Sequence, residues 1–130
     1  EGGTFEEKLR RKIEAHFEIL KKNPKIPFLV INEITTNPER IASLRDSIGE
    51  LPLSVYATFE QDLQKEIAQG RVRETNALDL MFSALSLNLA TFLVRPVLQN
   101  ILGLTDEAMD GFLEHRKEEN VKIILQSLKP

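Results

Sequence analysis

Residues 77–94, ALDLMFSALSLNLATFLV, constrain the fold more than any other stretch of the chain. Wound as a helix they are apolar almost all the way round, whereas a helix on the surface of a small domain buries one stripe and gives the other to water. Such a helix needs cover on two sides. Length alone would let it cross a bilayer, but Asp79, Ser83, Ser86, Asn88 and Thr91 interrupt it with polar groups and disfavour a membrane span. The alternative is a central helix with one face on its own core and the other on a second copy of the chain. At about 100° per residue, Leu78, Met81, Phe82, Leu85, Leu89 and Phe92 share one face. Leu80, Ser83, Ala84, Leu87, Thr91 and Val94 share the opposite one. The bulky first face suits a core or a pocket wall. The smaller second face lets another helix approach closely, and is the predicted contact with the second copy.

The remaining segments also read as helix. Thr4 and Glu7 form a capping-box pattern, followed by Leu9, Ile13, His16, Phe17 and Leu20 on one face, with Asn23-Pro24 as the stop. The run FLVI within Ile26–Ile34 is rich in β-formers, but Pro27 fits a first helical turn and the neighbours are helical, so a helix is predicted. Asn37-Pro38-Glu39 predicts the start of another helix burying Ile41, Leu44 and Ile48, ended by Gly49. Tyr56, Phe59, Leu63 and Ile67 form a further stripe closed by Gly70. Thr75 or Asn76 caps the central helix, Pro96 breaks it, and a last helix runs from Thr105 to about Leu128. The fold class is all-α, a bundle of about five to six helices.

With 130 residues the chain is one domain, and 17 basic against 20 acidic residues leave a net charge of −3, which argues against the chain itself gripping nucleic acid. It has no cysteine, hence no disulfide, thiolate nucleophile or zinc–sulfur site. Neither a phosphate loop, a nucleophile elbow nor an H-E-x-x-H helix is present, so no catalytic residues, metal site or cofactor are assigned and the chain is read as a non-enzyme. His115 lies in a charged run that reads as a solvated helix face. His16 lies on an apolar face, either bonded to a nearby carbonyl or serving as a polar group in an apolar cavity. Tyr56 carries the same pair of readings. The candidate cavity residues are His16, Phe17, Leu20, Phe28, Ile31, Tyr56, Phe59, Leu63, Phe82, Ser86 and Phe92. For the contact between copies, the last helix adds Phe112, Leu113, Arg116, Asn120 and Ile124 to the small face of residues 77–94.

The segment Phe17–Arg40, with Asn-Pro pairs flanking Asn32-Glu33, resembles the regulatory domain of TetR/AcrR-type bacterial transcriptional regulators. So do LQKEIAQGRVR at 63–73, FLVRPVLQNILGL at 92–104 and the charged terminal helix ending in SLKP. The resemblance implies that residues 1–130 form an effector-binding and dimerisation domain whose last two long helices build a four-helix interface in a homodimer. It implies a small hydrophobic effector, a cytoplasmic protein, and operator DNA met only through an N-terminal helix-turn-helix domain absent from this chain. The start at Glu1-Gly2-Gly3, without Met, reads as a cut through a linker. The competing expectation is a helical interaction module that dimerises or docks a partner and holds no ligand.

Overall fold

The computed structural model describes residues 2–40 and 51–130. These residues form six α-helices and no strand: α1 (Phe5–Lys22), α2 (Ile26–Thr36), α3 (Leu51–Ala68), α4 (Ala77–Leu93), α5 (Arg95–Asn100) and α6 (Asp106–Ser127). The fourth predicted helix, with Ile41, Leu44, Ile48 and Gly49, lies outside the described residues.

Short polar side chains start three of these helices by accepting orphan backbone N–H groups. Thr4 accepts from Glu7 N at 3.2 Å, Asn76 from Asp79 N at 2.8 Å, and Thr105 from Ala108 N at 3.1 Å. The FLVI run is helical, with Pro27 in the first turn of α2. α3 ends in a Schellman turn, Arg71 N donating to Glu66 O and Gly70 N to Ile67 O, both at 3.0 Å. That turn needs the left-handed φ of +76° that Gly70 supplies without a Cβ clash. Pro96 has no N–H to continue the α4 ladder, so a new short helix, α5, begins at Arg95.

α1 lies along both α4 and α6, and α4 also packs on α6. The buried apolar side chains separate into two clusters. Leu9, Ile13, Phe59, Leu63, Leu80, Ala84, Val121 and Ile124 belong to the first. The second holds Phe17, Leu20, Phe92, Met109 and Leu113, with the Phe17 and Phe92 rings 5.0 Å apart and tilted by 59°. Across the α1–α6 seam, Lys117 pairs with Glu18 at 2.9 Å and Lys21 with Glu114 at 2.7 Å. These pairs are partly exposed and fix register more than they add stability.

α4 turns part of its small face inward, while on the bulky face Phe92 is buried as expected and Met81 and Leu89 are partly so. Leu80, Ala84 and Thr91 of the small face are buried against α1 and α6 of the same chain. Leu78 and Phe82 of the bulky face are 65% and 71% exposed. The inference that small side chains admit a close helix holds, but the helix admitted is α6 of the chain itself. The Ala77–Asn100 stretch is long and apolar enough, by composition, to cross a membrane. It is nevertheless broken at Val94 and bonded through Asn88 and Thr91 to its neighbours.

Candidate functional site

Between α1, α3 and α4 lies a cleft of about 450 Å³. α1 contributes Leu9, Lys12, Ile13 and His16 at helical spacing, α3 contributes Val55, Tyr56 and Phe59, and α4 contributes Leu80, Met81, Ala84, Leu85 and Asn88. The walls are almost wholly apolar, and a few polar groups converge on them, which is the composition of small-molecule sites. The Lys12 ammonium lies 5.2 Å from the centroid of the Phe59 ring, within cation–π range.

Behind the cleft a buried chain of hydrogen bonds separates the two apolar clusters. Asn88 and Asn120 are both 0% exposed. Asn88 Nδ2 donates to Ile13 O and to His16 Nδ1, both at 3.0 Å. Asn120 Nδ2 donates to Asn88 Oδ1 at 3.0 Å and to Thr91 Oγ1 at 3.4 Å. Arg116 Nε donates to Asn120 Oδ1 at 2.7 Å, and the Thr91 hydroxyl donates in turn to Leu87 O at 2.8 Å.

The direction of every bond is fixed from the ends. The Ile13 carbonyl only accepts, so Asn88 must present its NH₂ there; the Arg116 guanidinium only donates, so Asn120 must present its oxygen. Asn88 Oδ1 then faces Asn120 Nδ2, and both hydrogens of each amide are used. His16 Nδ1 is consequently an acceptor, and its proton resides on Nε2. Burial adds to this by holding the His16 imidazole below its ordinary pKa of 6.5. The ring is neutral at neutral pH.

Of the predicted cavity residues, His16, Tyr56 and Phe59 line the cleft. Phe17, Leu20 and Phe92 fill the second apolar cluster and Leu63 the first, so they are core rather than wall. Phe28 and Ile31 on α2, and Phe82 and Ser86 on α4, are exposed away from the cleft. Met81 and Leu85, on the face of α4 read as core or pocket wall, line it too, and Lys12 and Asn88 line it without having been predicted to. Asn88 had a signal, an amide in the middle of an apolar helix, but nothing local says which way it faces.

The residues predicted to meet a second copy also divide. Leu80, Ala84, Thr91, Leu113, Asn120 and Ile124 are buried within the single chain, because α4 and α6 use those faces against each other and against α1. Ser83 and Val94 are exposed, and Leu87, Phe112 and Arg116 are partly so. No group of His, Asp and Glu among the described residues is arranged to hold a metal ion.

A family model described as the tetracyclin repressor-like C-terminal domain matches residues 6–124. The chain belongs to that family. No curated protein and no solved structure matches it. As a TetR-type C-terminal domain the all-helical fold is the anticipated one, and the match reaches from the first described helix into the last. The family is one of regulatory domains, concerned in general with ligand binding and dimerisation rather than catalysis.

Proposed function

We propose that this TetR-type domain senses a small, largely apolar effector in the α1–α3–α4 cleft and pairs with a second copy of itself. Effector binding then shifts the population of dimer geometries and alters operator binding by a helix-turn-helix domain, with residues 1–130 themselves serving as sensor and dimerisation domain. The protein acts in the cytoplasm, without catalytic residues or a cofactor in this domain.

The cleft is the observation that carries this reading. An apolar recess of about 450 Å³ is within the range that accepts a small molecule, and its polar groups are few enough to set orientation. Dimerisation is supported separately. Val94 on α4 and Ile123 on α6 are large apolar side chains left 45% and 40% exposed by the chain itself. On the outward side of the α4–α6 contact, Ser83, Leu87 and Val94 lie within about 60° of the buried face of α4, and Phe112, Arg116 and Ile123 do so on α6. We assign the interface to these residues.

A thermal-shift screen with bile salts, cationic dyes and fatty acids tests the sensor role. A ligand at a hundredfold excess over its dissociation constant stabilises the folded state by about 2.7 kcal/mol, a rise of several degrees for a domain of this size. If none of these amphiphiles raises the melting temperature, the helical interaction module without a ligand is the correct reading.

A further inference from the structure

Among the described residues the cleft presents hydrogen-bond donors and a cation but no carboxylate. Its described polar side chains are Lys12, His16, Tyr56 and Asn88. Asn88 is saturated, since both amide hydrogens and the oxygen are engaged within the protein. The same bonds make His16 Nδ1 an acceptor and so leave the imidazole with a proton on Nε2, which has no partner among the described residues. Lys12 forms no ion pair among the described residues and rests over the Phe59 ring instead.

We propose that the cleft takes an apolar monocarboxylate, its hydrocarbon part against Phe59, Met81 and Leu85 and its carboxylate accepting from His16 Nε2–H beside the Lys12 ammonium. This rests on the cleft being the effector site. The charge count selects the headgroup. His16 is neutral, because a proton on Nδ1 would set two donors, it and Asn88 Nδ2, against each other. Among the described lining residues Lys12 thus supplies the single positive charge, which matches a mono-anion and leaves a dianion half compensated. An amine would bring a second cation to described walls that carry no acid, and an alcohol would leave Lys12 unused. Charge-assisted hydrogen bonds to a carboxylate are also the stronger ones available to a half-desolvated histidine.

Isothermal calorimetry on the full chain at neutral pH with decanoate, decanol and decylamine, all below their aggregation concentrations, tests the assignment. Decanoate is expected to bind about tenfold or more tightly than decanol, from the charge-assisted bonds it alone makes, and decylamine more weakly than decanol. Lys12→Met keeps the stem over Phe59 and removes the charge. It should abolish the preference for decanoate while leaving decanol binding in place, and it changes an exposed side chain that the fold does not need. His16→Phe should weaken decanoate more than decanol. Equal affinity for acid and alcohol, or an acid preference that survives Lys12→Met, overturns the assignment of the headgroup and leaves the cleft as an effector site. Failure of all three probes to bind overturns both.

Discussion

His16 is held in one tautomer by a side chain 72 positions away along the chain. Its place on the apolar face of α1 is visible in the sequence, but its bond is to the Asn88 amide rather than to a nearby carbonyl. No local pattern links residue 16 to residue 88. The bond has a consequence for stability. Burial lowers the pKa of the folded ring below 6.5, so as pH falls through 6.5 the unfolded chain takes up a proton before the folded one does. The stabilisation is therefore complete above pH 6.5 and is lost as pH falls toward the lowered folded value. Urea titrations at mildly acidic and neutral pH should show this loss in the native chain. His16→Gln, whose amide oxygen can still accept from Asn88, should remove that part of the pH dependence; an unchanged dependence would assign it to other groups.

At the scale of elements, helix punctuation is legible because it is chemistry between near neighbours. Thr4, Asn76 and Thr105 cap where their sequence contexts predict, and Pro96 breaks α4 where it must. The facing of α4 is a different kind of question. Both sides of Ala77–Leu93 are apolar, so periodicity alone does not choose between them. The choice follows from α6 carrying Asn120 opposite Asn88, two amides that satisfy each other only if the small face of α4 turns inward. Either amide replaced alone leaves its buried partner short of a bond, at a cost of about 1–3 kcal/mol. Asn88→Leu and Asn120→Leu should each be destabilising by about that much, and the double variant by clearly less than the sum. Strict additivity in a denaturation cycle would show that the two amides act independently.

For the molecule as a whole, the chain itself covers part of the small face of α4 and leaves Leu78 and Phe82 of the bulky face exposed. The surface we propose for a second copy is narrower than either face. It is the outer edge of the α4–α6 pair, with Ser83 and Val94 on one helix and Phe112 and Ile123 on the other. Val94→Asp with Ile123→Glu places charges on exposed positions and should turn a dimer into a folded monomer by sedimentation velocity, with helical content unchanged; a dimer that persists places the interface elsewhere. The buried amide chain runs from the cleft wall at His16 to Arg116 on this same edge. The two asparagines also bind the history of the molecule. Along any line of descent, a change at position 88 alone or at 120 alone must pass through a less stable ancestor, and one that replaces both loses the tautomer lock on His16. Positions 88 and 120 are therefore expected to vary together.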